Sequence, residues 1–404
     1  MVAFPVFFSG IYDAFCIKVL WLSYYLISEM EQLLVDAFNI CYNSYLKHED
    51  EKIGFCMHGA TGLALCAHEL AIELDDKDFL NKEVVIRERQ FNSLVKDPSI
   101  GYGLSSMQFY LNSLSERDSF YEDIYEIEEV NKAFFNSALK SQCFDYYSGA
   151  SGILLTFLVS NNRSEIGSMI DSYVKSLNNM FASNSIYTDS YGEDGVVKGV
   201  NLGTAHGFTG ILLVLLKAYE LGYKDNTRAT INSLLHFIRS FEANFKSFIC
   251  HYPQFVTKDD NKAYPSLTAF CYGDLMITYA FLKAGKLLGI DEYTEYGSGL
   301  AREFLMRTDV YGQQLCLCHG LSSIMVLLKY FYHYTGDKQY DNRKDMYYND
   351  IILLFKSYLS DYTKSSEVKG IITNPSLFMG ITGAIIAQLT VNNKSNYWEQ
   401  ILLV

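Results

Sequence analysis

The stretch AHGFTGILLVLL, Ala205–Leu216, sets a histidine and a glycine in front of an unbroken apolar run. Glycine breaks helix interiors and suits tight turns. The run continues as GILLVLLKAY and is apolar almost all round, so the helix it forms must be buried on most sides. Six further segments share this glycine-led entry: MHGATGLAL at Met57, GYGLSSMQFYL at Gly101, YSGASGILL at Tyr147, CYGDLMITYAFL at Cys271, CHGLSSIMVLL at Cys318 and FMGITGAIIAQL at Phe378. Their anchoring glycines are Gly59, Gly103, Gly149, Gly207, Gly273, Gly320 and Gly380, separated by 44, 46, 58, 66, 47 and 60 residues. Self-similarity at such a period signals a repeat architecture, and seven units nearly exhaust the chain.

Between the buried runs lie helices of a second kind. Ile166, Met169, Ile170, Tyr173, Val174, Leu177, Met180 and Phe181 recur at helical spacing and describe a one-faced amphipathic helix. Ile231, Leu234, Leu235, Ile238 and Phe241 repeat the pattern. Alternation of one-faced and all-apolar helices predicts two concentric layers. The fold expected is an all-α, α/α toroid, a double ring of seven inner and seven outer helices, because an open solenoid would expose two apolar ends. The glycine turns then gather at one end of the inner helices, around a central mouth. Glycine suits such turns because it accepts φ > 0 and lets backbones approach closely.

The chain has 404 residues and a formal charge of −13 at pH 7, with no basic stripe, which speaks against a nucleic-acid partner. Five prolines favour long helices. Nine scattered cysteines (Cys16, Cys41, Cys56, Cys66, Cys143, Cys250, Cys271, Cys316 and Cys318) form no dense framework and predict reduced thiols in a cytoplasmic protein. Residues 1–29 are an apolar extension, interrupted by Asp13 and Lys18 before about 18 uncharged residues accumulate, so no stable membrane insertion is expected. They read as an extra hydrophobic helix, or as the result of a start codon upstream of Met30. Residues 30–404 are expected to form one domain.

If the turns converge, residues just before the glycines become neighbours. Four turns then carry chemistry: Asp145 in FDYYSGASG, His206 in GTAHGFTG, Cys271 in FCYGD, and Cys318 with His319 in LCHGLSS. Two thiolates and one imidazole suit zinc with an open fourth position, although adjacent Cys and His do not have the spacing of a structural finger. Each residue also has a plainer reading. The Cys271, Cys318 and His319 set can be core residues, His206 a hydrogen-bonded turn histidine, Asp145 a helix N-cap and Tyr272 a packing residue. His58, in the same register as His206, reads as structural. Cys316 reads as core or as a support to the Cys318 turn, and Cys56 and Cys66 as buried helix residues.

With AHG, CYG and CHG in that order on seven repeats, the chain resembles the lanthionine synthetase C-like (LanC) cyclase family from about Met30 to its C-terminus. The resemblance implies an α/α toroid and one Zn²⁺ per chain on Cys271, Cys318 and His319. It places the acid/base histidine at His206, the active-site aspartate at Asp145 and the motif tyrosine at Tyr272. It further implies a cyclase that adds peptide cysteine thiols to dehydroalanine or dehydrobutyrine, giving (methyl)lanthionine thioether rings. Implied partners are a dehydrated precursor peptide, a separate dehydratase and an exporter, through which the protein would reach the membrane periphery. The chain departs from the family pattern at Phe270 (Trp), Leu267 (Arg), and Met276 and Ser323 (second glycines). A homologue that binds peptides or glutathione-like thiols as an adaptor is the alternative. A carbohydrate enzyme on the same fold would need paired carboxylates instead.

A free thiol of pKa about 8.5 is only about 3% ionised at pH 7, so complete deprotonation by zinc is an advantage of roughly thirtyfold, or about 2 kcal/mol. Two linking segments, Tyr187–Gly203 and Cys250–Phe270, are polar, turn-rich and lead into motif turns. Such segments on a rigid scaffold tune binding. Deleting Gly192–Gly199 is therefore expected to impair peptide processing more than zinc content, measured by mass spectrometry and metal analysis; equal loss of both would refute the assignment.

Overall fold

The computed structural model describes residues 9–47, 57–91, 97–114, 121–160, 165–192, 195–242, 250–266, 268–306 and 314–404. Cys56 and Leu267 lie outside these residues, as do 193 and 194 within the first linking segment.

Seven helices follow the seven glycines: α2 (Ala60–Glu73), α4 (Leu104–Ser113), α6 (Ala150–Leu158), α8 (Phe208–Glu220), α10 (Asp274–Leu288), α12 (Leu321–Thr335) and α15 (Ile381–Thr390). Most of their residues are buried, as all-round apolar sequences require. Consecutive members pack side by side, and α15 packs against α2, closing the inner ring. The outer helices are α1 (Ser9–Lys47), α3 (Lys77–Phe91), α5 (Tyr121–Lys140), α7 (Ile166–Ala182), α9 (Lys224–Arg239), α11 (Asp291–Met306) and α13 (Lys338–Asp361), with a short α14 (Ser366–Ile372) before the last inner helix. Each of α3 to α13 packs on the inner helix before it, and α1 packs on α15. On α7 the predicted stripe buries Ile166, Met169, Ile170, Tyr173, Leu177 and Met180, while Val174 and Phe181 are half-buried. Seven inner and seven outer helices thus form the expected α/α toroid. Helix α1 runs without interruption across position 30, and no described helix is long and apolar enough to cross a membrane.

Main-chain hydrogen bonds tie the glycine turns together. Leu377 N–H donates to Met57 C=O at 2.8 Å, Cys318 to Phe378 at 2.8 Å, Cys271 to Cys318 at 3.2 Å and Thr204 to Cys271 at 2.9 Å. Tyr147 then donates to Ala205 at 3.0 Å, Gly101 to Tyr147 at 2.9 Å and His58 to Gly101 at 3.2 Å, completing the circle. Every turn is joined to both neighbours.

The anchoring glycines differ from expectation in their backbone. All seven are extended, with φ from −106° to −157° at six of them and 172° at Gly273, so positive φ is not their purpose. Close approach is. A Cβ on Gly103, Gly149, Gly207 or Gly380 would overlap the carbonyl of the residue six positions earlier, from Asp97, Cys143, Asn201 or Asn374, and one on Gly320 would meet those of Gln314 and Cys316. A hydroxyl two residues after the glycine fastens the same loop: Ser105, Ser151, Thr209, Ser322 and Thr382 each donate to the carbonyl seven residues back.

The two linking segments are not plain loops. They form β1 (Thr188–Gly192), β2 (Gly195–Asn201), β3 (Pro253–Thr257) and β4 (Ala263–Pro265), joined as one antiparallel sheet in the order β1-β2-β3-β4. Alternation such as that of Pro253–Thr257, buried at every second residue, is a strand signal that the surrounding polar residues obscure.

Gly103→Ala is expected to destabilise the fold by about 1–3 kcal/mol through overpacking. Gly299→Ala, within α11 and with nothing near its added methyl, is expected to be neutral or to stabilise by up to about 1 kcal/mol. Unfolding midpoints that fall equally in both variants would contradict this.

Candidate functional site

The ring of main-chain bonds fixes two registers. Two residues before the anchoring glycines stand Met57, Gly101, Tyr147, Ala205, Cys271, Cys318 and Phe378, and one residue before stand His58, Tyr102, Ser148, His206, Tyr272, His319 and Met379. Residues with chemistry occupy these positions because the turn geometry is held by backbone and glycine, leaving their side chains free to differ.

Asp145 and His206 meet across the third and fourth turns. His206 Nδ1–H donates to Asp145 Oδ2 at 2.7 Å, and Asp145 Oδ1 accepts the Ser148 N–H at 2.7 Å. Asp145 therefore does not cap the following helix, whose N-cap is Gly149. Burial opposes the charged imidazole of His206, but the Asp145 hydrogen bond and charge prevail and raise its pKa above the ordinary value. With Nδ1 committed to the carboxylate, Nε2 is the nitrogen left to exchange a proton. Beside the pair opens a cavity of about 750 Å³, lined by Asp145, His206 and Tyr272 and walled by Tyr187, Thr188 and Asn201 of the first linking segment. The second segment reaches the site indirectly, through pairing of β2 with β3.

The turns that carry Cys271 and Cys318 are adjacent, with Cα atoms 5.6 Å apart, and the structure joins the two residues as a disulfide. This departs from the expectation that all thiols are free, and it follows from the ring, which brings two distant cysteines to bonding distance. Cys41, Cys66, Cys143, Cys250 and Cys316 form no disulfide. His319 sits half-buried on the Cys318 turn, with Nδ1 3.7 Å from Cys316 Sγ, and burial lowers its pKa, favouring neutral imidazole. Among the described residues no group of three His, Cys, Asp or Glu side chains is arranged to hold a metal ion. The expected trio is thus brought together at its two cysteines, while His319 faces Cys316. By donor chemistry the residues still fit zinc: two sulfurs on tied turns, with a neutral imidazole one residue from the second.

Aromatic rings continue around the mouth. His58 stacks on Tyr102 with ring centroids 4.9 Å apart and hydrogen-bonds through Nε2 to the Tyr147 hydroxyl. The Tyr147 ring lies 5.7 Å from that of His206, which lies 6.4 Å from that of Tyr272. Burial, then the charge of His206, lowers the pKa of His58 to about 4, so His58 is neutral near pH 7. Phe270, at the family's tryptophan position, is buried against Phe378 with ring planes 16° apart. Tyr147 was not singled out by motif, yet it shares the register of Cys271 and Cys318, and that register was its signal.

A closed double ring of helices, with a histidine–aspartate pair and a cysteine pair at one mouth, defines an α/α-toroid protein with thiol and acid–base groups at a single site. The chain belongs to the lanthionine synthetase C-like protein family, whose model matches residues 55–403. It is 23% identical over 327 residues to the nisin biosynthesis protein NisC of Lactococcus lactis subsp. lactis, covering 73% of this chain and 72% of that one. The structure also resembles nisin cyclase with a TM-score of 0.75 at 18% identity, covering 94% and 97% of the two chains.

Replacing Asp145 by Asn should lower the pKa of His206, because the raising hydrogen bond and charge both come from that carboxylate. Nuclear magnetic resonance titration of the imidazole checks this; an unchanged midpoint would mean that the pair is not formed in solution.

Proposed function

We propose that this chain is a zinc-dependent lanthipeptide cyclase that adds cysteine thiols of a dehydrated precursor peptide to dehydroalanine or dehydrobutyrine. The observation that carries the reading is the meeting of the His206–Asp145 pair with the Cys271 and Cys318 turns on one ring of hydrogen bonds. Family membership and the likeness to a nisin biosynthesis protein support it.

A zinc ion held by reduced Cys271 and Cys318 with His319 would supply deprotonation of the incoming thiol at neutral pH. The carbon–sulfur bond forms at the β-carbon of the dehydro residue, and the electron pair of the broken C=C π bond passes to the α-carbon and its carbonyl. That enolate requires a proton. His206 delivers it from Nε2, with Asp145 holding the ring by Nδ1 and favouring the charged form. Tyr272, half-buried beside His206, has its phenol pKa raised, by burial first and then by the charge of Asp145, so it stays protonated and can donate a hydrogen bond. The cavity along β1 and β2 offers room for the peptide beside this acid. The substrate implies a separate dehydratase acting earlier and an exporter acting later, which would bring the cytoplasmic protein to the membrane periphery.

Under reducing conditions, purified protein should carry about one zinc per chain, lost when both Cys318 and His319 are replaced by Ala. Incubation with a dehydrated cysteine-containing peptide should consume thiols without change in mass, counted by alkylation and mass spectrometry. Rate should fall as pH rises through the raised pKa of His206, since the acid form is the donor. Zinc binding without thiol consumption would replace this reading with the adaptor that binds peptides or glutathione-like thiols.

A further inference from the structure

The inner helices end opposite the mouth at a second cavity, of about 980 Å³. Its lining is rich in charged side chains, among them Lys217, Glu220, Lys283, Lys329 and Lys344. Lys283 of α10 lies about 15 Å along the helix from the glycine turn and is 2% exposed. Its ammonium and that of Lys217 both approach the same oxygen, Oε2 of Glu220, each at 3.4 Å. Two ammonium groups with six N–H donors thus share one carboxylate, at distances beyond an ordinary hydrogen bond.

The neighbouring charges are matched instead. Lys329 lies 2.6 Å from Glu399, which also accepts from Tyr330 at 2.6 Å, and Lys344 lies 2.9 Å from Asp341 and 3.2 Å from Asp345. The positive surplus therefore sits at Lys217 and Lys283. Beside them the fully buried Tyr279 hydroxyl lies near the Tyr334 phenol but forms no hydrogen bond of ordinary geometry. A buried donor left unpaired and a buried charge only partly compensated are both destabilising. Burial lowers the pKa of Lys283 to about 8, with Glu220 opposing and Lys217 adding to the fall, so the amine remains charged near pH 7.

Compensation of helix C-termini explains a lysine in a last turn, such as Lys217. It does not explain Lys283, which lies more than a turn before Leu288 and points its charge at a shared partner. One carboxylate serves two ammonium groups, which leaves room for a second negatively charged acceptor, and the cavity has the volume of a small-molecule site.

We propose that this end of the toroid is an oxyanion-binding site, in which Lys283, Lys217 and the Tyr279 hydroxyl receive the phosphate or carboxylate group of a small molecule. The site is independent of the zinc and acid–base groups at the opposite mouth. Calorimetric titration of the full chain with sodium phosphate and, separately, with sodium succinate tests it, with sodium chloride at matched ionic strength as reference. Saturable binding of at least one oxyanion is expected, with half-saturation raised about tenfold or more in Lys283→Gln and raised in Tyr279→Phe. Phosphate alone binding would identify a phosphorylated ligand, and succinate alone a carboxylate. Absence of saturable binding for both, or variants that bind as the unaltered chain does, would overturn the proposal. Should Lys283→Gln fail to fold by circular dichroism, Tyr279→Phe, which removes a single oxygen, decides.

Discussion

Main-chain hydrogen bonds, at least one between each pair of neighbouring turns, hold the toroid to a fixed circumference. Their donors and acceptors are peptide groups, so they are indifferent to the side chains beside them. What they do demand is that backbones approach closely, and this accounts for the anchoring glycines and for the hydroxyls that reach back seven residues. A framework that constrains the main chain and leaves adjacent side chains unconstrained can vary its chemistry turn by turn. Cys271, Cys318, Tyr147 and Phe378 occupy one and the same structural position.

The mouth that results is unequal around its rim. On the third to sixth turns stand Asp145, His206, Tyr272 and the cysteine pair, and the pKa of His206 is raised by its carboxylate. On the seventh, first and second turns stand Phe378, His58 and Tyr102, packed as rings, where His58 is held neutral. Two histidines in identical register thus have their pKa values moved in opposite directions, decided by what the neighbouring turn supplies. The four-stranded sheet stands beside the acid–base side, its first two strands walling the cavity next to His206.

Much of this was legible in the sequence because the repeats are long and strongly patterned. All-apolar runs such as Ile211–Leu216 can only be buried helices, and the α7 stripe has one face. The convergence of Asp145 with His206, and of Cys271 with Cys318, followed from register once closure was assumed. The strands were not legible, since β1 is polar, β2 is interrupted by glycines, and β3, which extends their hairpin into a sheet, lies more than fifty residues on from the hairpin's start. That the glycines permit close backbone approach was legible, but which carbonyl each one meets is a property of the folded turn. The orientation of His319 toward Cys316 depends on side-chain rotation that no spacing encodes.

Closure of the inner ring joins α2, near the beginning of the chain, to α15, near its end, and Cys318 takes its own main-chain acceptor from Phe378. Contacts so distant in sequence form late, since loop-closure entropy must be overcome before they contribute. During synthesis, six-sevenths of the toroid would leave the ribosome with two uncovered apolar flanks. Such a chain is exposed to misassembly and to chaperones until its final inner helix docks. The cysteine pair, lying next to the closing seam, is then among the last features to acquire its geometry, so maturation of the site coincides with completion of the fold.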